Sequence, residues 1–222
     1  MIPGHSDAPV SRRVLFLVLL AGYAFFAATY MPINHFSIGR EARELFLPGE
    51  KGLPFLPAFE YLYVTGYFLP VALLLRPPTR PRLRQSIRAF AAVLAVAYTT
   101  YLCFPVYFPR PIFEPNSLAT WLISIEYRDP SYNHFPSLHV ALGVLILLAG
   151  WERWGAAQRP MTALVIGMSV STLFVKQHYI VDVAYGAALA LLAWRWAGRR
   201  AESRERVRAR EPNVVPLRQA VR

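Results

Sequence analysis

His178 and Asp182 stand four residues apart, which places both on one face of a helix. A carboxylate beside an imidazole fixes its tautomer and raises its basicity. A nucleophilic or general-base histidine needs that arrangement. Ser171 precedes His178 by seven residues, two helical turns, and falls on the same side. A second histidine, His139, closes the stretch Pro136-Ser137-Leu138-His139 and supplies an acid partner. Each stretch sits at the end of a long apolar run. Ionisable groups at a bilayer edge are costly and functional by default.

The elements that must position these residues follow from the apolar runs. Six runs approach the roughly 20 residues that cross a bilayer. They cover residues 14–30, 59–75, 89–104, 138–151, 161–175 and 179–196. The first is long for a signal peptide and lacks a small-x-small cleavage site, so it reads as an uncleaved span. Residues 38–46 read as a short amphipathic helix at the membrane surface. Residues 105–135 form a long outer loop rich in proline and aromatics. The spacing predicts an all-α integral membrane six-helix bundle over residues 1–198, with its motif core at about 101–190. Residues 199–222 form a basic tail without aromatics, expected to be disordered or surface-associated.

Composition supports a membrane protein. The chain is 55% hydrophobic and 14% aromatic, and only 17% of it is charged. Its net charge of +11 does not point to nucleic acid, because the basic residues fall on short loops and the tail. Segments 1–13, 76–88, 152–160 and 195–222 hold 18 of the 24 lysines and arginines. The positive-inside rule then puts both termini in the cytoplasm and the histidine-bearing ends at the outer, periplasmic or extracellular, face. An outward site has no access to cytoplasmic ATP, and no glycine-rich phosphate loop is present. Cys103 is the single cysteine, so no disulfide framework or zinc site of the usual type arises within the chain.

The residues Pro136-Ser137-Leu138-His139, with Ser171, His178 and Asp182 downstream, resemble the type 2 phosphatidic acid phosphatase superfamily. Leu138 before the histidine and Lys176-Gln177-His178-Tyr179 are similar to its inositol phosphorylceramide synthase-like branch. The resemblance covers roughly residues 85–195. It implies metal-independent phosphoryl transfer through a phosphohistidine, without a cofactor. His178 would attack phosphorus, Asp182 would orient it, and His139 would protonate the leaving oxygen and then activate water or an alcohol. Ser137, Ser171 and Arg110 would bind phosphate oxygens. The first family motif is a lysine six residues before Arg-Pro. Here Arg110-Pro111 supplies the second half, and Cys103 or a neighbour stands where the lysine belongs. Thr172 replaces the usual arginine after the serine. Lys176 is the cation nearest to making good this loss, if the helix breaks near Gln177 and turns its ammonium toward Ser137 and Arg110.

The implied substrate is a membrane lipid phosphate, held in a multi-pass protein of the inner (plasma) membrane. Hydrolysis of a phosphomonoester or diphosphate lipid is the first expectation. Transfer of a phospho-headgroup to a lipid alcohol is the second. Other classes remain open. A haem-binding membrane cytochrome would use two histidines as axial ligands, but would not need Asp182 beside one of them. A non-catalytic lipid-binding or transport protein would explain the spans and not the Ser/His/Asp pattern. His134, five residues before His139, reads as loop chemistry. His5 and His35 have no motif context. Glu114, Glu126 and Asp129 in the outer loop lack metal-ligand spacing.

Overall fold

A computed structural model gives the structure of residues 8–210, and of their side chains as far as residue 199. Among the described residues the regular structure is helical, apart from isolated bridges. Its helices are α1 (Arg12–Phe36), α2 (Glu60–Tyr63), α3 (Thr65–Ala72), α4 (Arg80–Cys103), α5 (Leu118–Glu126), α6 (Leu138–Gly150), α7 (Gln158–Phe174) and α8 (Ile180–Arg210). Three of them are long and apolar enough to cross a membrane: Arg12–Phe36, Arg80–Cys103 and Ile180–Arg199.

Helices α4, α6 and α8 pack together at the centre. Alanines at helical spacing, with Val93 and Leu145 between them, make this possible. Ala89, Val93 and Ala97 line α4, Ala141, Leu145 and Ala149 line α6, and Ala190, Ala193 and Ala197 line α8, all buried. Stripes of that kind let backbones approach closely where lipid leaves no hydrophobic drive between helices. Helix α7 packs on α6 and on α2, and α3 packs on α6. Helix α1 stands off. Only Leu15 and Asn34 are buried along its length, and it packs chiefly on α4.

The two ends of the bundle are closed differently. At one end the Tyr101 hydroxyl donates to the Pro136 carbonyl (2.8 Å) and the Ser137 N–H donates to the Asp182 carbonyl (3.2 Å). At the other, the Val10 N–H donates to the Pro78 carbonyl, Arg82 pairs with Glu152, and the Gln85 amide donates to the Trp194 carbonyl. The motif stretches meet at the first end, and the arginine-rich segments meet at the second.

Several element boundaries differ from the sequence expectation. The segment 38–46 is not a helix. Arg43 instead pairs with Val106, and Val106 pairs with Asn133, so neighbouring loops satisfy its backbone donors. The outer loop 105–135 contains α5, which begins at a capping box of Ser117 and Thr120. Helix α4 begins at Arg80, with Pro81 in its first turn, and so takes in arginines assigned to a loop. The expected second span is broken at Val64 into α2 and α3. Helix α8 runs on to Arg210, so the segment 199–222 begins in helix. Arg, Glu and Ala are good helix formers. Residues 211–222 of that expectation lie outside the described residues.

Candidate active site

The turn between α7 and α8 carries the second motif, and its backbone is specified in detail. Helix α7 ends at Phe174 with Val175 as its C-cap, followed by Lys176 in the left-handed region at φ 55°. The Gln177 N–H reaches back to the Thr172 carbonyl at 2.9 Å, closing a Schellman turn. The helix therefore breaks where the sequence reading required it to. A lysine rather than a glycine at that position costs roughly 1 kcal/mol. Helix α8 then starts at Ile180, whose N–H donates to Glu50 Oε1 at 2.6 Å.

Asp182 sits in the first turn of α8 and is fully buried. Its Oδ2 accepts the Tyr179 N–H at 2.9 Å, as an acidic residue in the third helical position commonly does. The same oxygen lies 3.3 Å from His178 Nδ1. A carboxylate acceptor there keeps the proton on Nδ1 and leaves the Nε2 lone pair free. Asp182 Oδ1 is buried without a partner, so this pair is the side chain's main electrostatic outlet.

The imidazole packed against His178 is His134, not His139. The two rings meet edge to face with centroids 5.5 Å apart. His134 Nδ1–H donates to the Gln177 carbonyl, and its Nε2 lies 2.8 Å from Ser131 Oγ. Burial, and then the neighbouring His178 and Arg110, hold His134 well below the usual imidazole range, so it stays neutral at physiological pH. Donor atoms of His134, His178 and Asp182 lie within 4.8 Å of one another, the spacing of a metal site. Both ring nitrogens of His134 and the Nδ1 of His178 already have protein partners, whereas Asp182 Oδ1 has none.

Arg110 joins this group through Gln177. Its guanidinium donates to Gln177 Oε1 (2.9 Å), to the Asp129 carbonyl (2.6 Å) and to the Tyr127 carbonyl (3.2 Å). These acceptors are neutral, and Nε is buried without a partner. The Asp129 carboxylate is engaged elsewhere, by Tyr30 and Asn34 of α1. Burial raises both Asp129 and Glu126 above the usual carboxylate range. The arrangement leaves a positive charge suited to an anion.

His139 stands in the first turn of α6, with its Nε2 2.9 Å from the Tyr63 carbonyl. It shares a groove with His178, His134, Gln177 and Arg110. That groove has a volume of about 970 Å³ and continues between α1, α3, α4 and α6. Its polar residues gather at the histidine end. Beyond them it is walled by side chains such as Leu19, Phe26, Leu73, Phe90 and Leu145, as far as Leu15 and Pro78.

The remaining sequence candidates fall outside the groove wall. Ser137 is the N-cap of α6, and its Oγ accepts the Val140 N–H at 3.3 Å. Ser171 is buried and donates to the Met168 carbonyl at 2.6 Å, a bond to its own helix. Lys176 does not turn toward Ser137. Its ammonium donates to the Leu53 carbonyl at 2.6 Å, because the left-handed turn sends the side chain outward. It lines a separate outer pocket of about 480 Å³ with Arg110, Lys51 and Glu44. Cys103 is exposed, and Thr172 is buried in the last turn of α7, so neither position carries a cation. Sequence reasoning gave no role to Gln177, although it stands in the second motif, and read His134 only as loop chemistry because it lies in irregular chain.

The register of α6 against α8 rests on Gly186. A methyl group there would lie inside contact distance of the Ser137 carbonyl, 3.3 Å from its carbon and 3.4 Å from the serine Cβ. Backbone cannot swing aside as a side chain can. Gly186→Ala is expected to cost about 1–3 kcal/mol of stability by overpacking, read as a lowered midpoint of thermal unfolding in detergent. It should also lower turnover, because α6 carries His139 and α8 carries Asp182. An unchanged midpoint would mean that the two helices separate freely.

No curated protein and no solved structure matches the chain. A family model described as the PAP2 superfamily matches residues 35–196, which include both motif stretches and the turn between α7 and α8. On that match the chain belongs to the type 2 phosphatidic acid phosphatase superfamily, a family of phosphatase-type enzymes acting on phosphate esters.

Proposed function

We propose that the protein is a lipid phosphatase of the inner membrane, hydrolysing a lipid phosphomonoester or diphosphate through a phosphohistidine. The observation that carries this reading is the groove. Its polar end holds His178, His139 and Arg110, and its body is apolar over most of the bundle's height. A phosphate at the polar end leaves the groove for the tail. In this reading six spans (α1, α2 with α3, α4, α6, α7 and α8) put both termini in the cytoplasm and the site at the outer face.

The steps follow from the side chains. The lone pair of His178 Nε2 attacks phosphorus while Asp182 stabilises the developing imidazolium. His139 protonates the departing lipid oxygen, then takes a proton from the water that resolves the intermediate. Arg110 holds the phosphate oxygens. Ser137, Ser171 and Lys176 are given no direct contact with substrate in the resting arrangement, and Ser137 acts through the start of α6.

The outer pocket favours a second reading. It shares Arg110 with the groove and is lined by Lys51, Lys176 and Glu44. Such a pocket suits a polar headgroup on its way to an alcohol acceptor. Both readings use one intermediate and differ in what resolves it. The deciding experiment incubates purified protein with lipid phosphates, with and without candidate alcohols, and measures free phosphate against new lipid. Free phosphate with full activity in EDTA supports the phosphatase. New lipid replaces that reading by the transferase. Activity lost in EDTA and restored by a divalent ion overturns the metal-independent chemistry of both.

A further inference from the structure

The break between α2 and α3 has a chemical consequence at His139. In an unbroken helix the Tyr67 N–H would take the Tyr63 carbonyl. Here it turns to the Val64 carbonyl at 3.2 Å, and Thr65 Oγ1 closes the turn on the Leu62 carbonyl at 2.6 Å. The Tyr63 carbonyl is released, and it is this oxygen that lies 2.9 Å from His139 Nε2.

The ring itself is held on three sides by the same broken helix. Tyr63 stacks on it with centroids 4.2 Å apart and planes 2° from parallel. Tyr67 meets it edge-on at 5.2 Å. The third side is Gly66, where a methyl group would overlap the imidazole, lying 2.6 Å from Cε1 and 2.9 Å from Cδ2. Glycine is required there by close approach and not by backbone conformation.

A carbonyl oxygen only accepts, so the ring nitrogen facing it carries the proton. We infer that Tyr63, Gly66 and Tyr67 are positioning residues that clamp His139 as its Nε2–H tautomer, and that Nδ1 is the nitrogen that exchanges protons with substrate. The inference rests on the proposed reading of His139 as the acid–base group. In the first step His139 is cationic. The bond from His178 Nε2 to phosphorus forms and the phosphorus–oxygen bond breaks. The electron pair leaves on the lipid oxygen, which takes the proton from Nδ1. Neutral His139 keeps its Nε2–H on Tyr63. In the second step the oxygen of a water bonds to phosphorus as Nδ1 removes its proton. The nitrogen–phosphorus bond then breaks, returning its electron pair to His178.

Two measurements test the clamp. The first is ¹⁵N NMR of histidine-labelled protein in nanodiscs, with His139 identified by loss of its signals in His139→Gln. Neutral His139 is expected to show a protonated Nε2 and a bare Nδ1. The opposite tautomer overturns the assignment, and this readout stands even if the protein hydrolyses nothing. The second uses two lipid phosphates of equal tail length, one with an alkyl and one with a nitrophenyl leaving group. A general acid contributes about 10²–10⁴-fold, and mostly for poor leaving groups. Gly66→Ala should therefore lower kcat on the alkyl ester by about 10²-fold or more, and on the nitrophenyl ester by less than about 5-fold. Combined with His139→Ala it should add nothing further. If Gly66→Ala does not fold, Tyr63→Leu, which removes the stack without adding bulk, should show the same selective loss at about 10-fold. Equal losses on both esters would reduce these residues to groove lining. Inactivity of the native protein on both esters would count against the proposed function, with the clamp still judged by the tautomer.

Discussion

His178→Ala is expected to lower kcat by about 10⁴-fold or more while leaving the protein folded, since removal of a nucleophile eliminates the covalent route. The residue is only 8% exposed, but it lies at the end of the bundle and is absent from the apolar packing among α4, α6 and α8. Its loss should shift the thermal midpoint little. The measurement is single-turnover kinetics with radiolabelled lipid phosphate, followed by acid-labile label on the protein. The native chain should accumulate label and the variant none. Label retained in His178→Ala would move the nucleophile elsewhere, and His134, its edge-to-face neighbour, would be the first place to look.

Asp182→Asn comes next in size, at about 10²–10⁴-fold in kcat, because an orienting carboxylate governs both tautomer and charge. Asp182 Oδ2 serves two donors at once, His178 Nδ1 and the Tyr179 N–H. An asparagine oxygen can still accept the backbone N–H and keep the first turn of α8. It carries no negative charge to stabilise the imidazolium. If its NH₂ faces the ring instead, the proton is driven onto Nε2 and the attacking lone pair is lost. Asp182→Ala should add the loss of the helix-terminal bond, about 1 kcal/mol in thermal stability beyond the asparagine variant. A turnover of Asp182→Asn within a few-fold of native would show that His178 needs no orienting partner.

The sequence made the His178–Asp182 pair legible by its four-residue spacing, although His178 stands in the turn before Ile180 and meets Asp182 across the start of α8 rather than along one helical face. It made the long helices legible by the apolar run inside each, though not the arginine-bearing ends of α4 and α8. What it hid were features set by tertiary contacts. The 38–46 segment looked amphipathic, yet its backbone found partners in the 105–107 chain. Val64 gives no local signal for a helix break, because nothing about valine stops a helix. Its break answers to His139, 75 residues away. Lys176 was correctly read as standing at a disrupted turn, but charge bookkeeping aimed its side chain inward. The handedness of that turn sends it to the Leu53 carbonyl. Ser171 had the right periodicity, but a serine inside a helix finds the carbonyl behind it sooner than a ligand.

In the proposed reading the groove beside α1 also sets the concentration scale on which this protein works. Its walls include α1 and α4, both long and apolar enough to cross a membrane, so a lipid substrate would slide in from the same leaflet and never pass through water. Bulk molarity is then the wrong variable. The rate should follow the mole fraction of substrate in the surface, and adding inert lipid or detergent at fixed total substrate should slow the reaction by surface dilution alone. A hydrophilic phosphate ester without a tail should be insensitive to that dilution. Headgroup chemistry and membrane partitioning are thus separable variables in this molecule, one governed by the histidine end and the other by the length of the bundle.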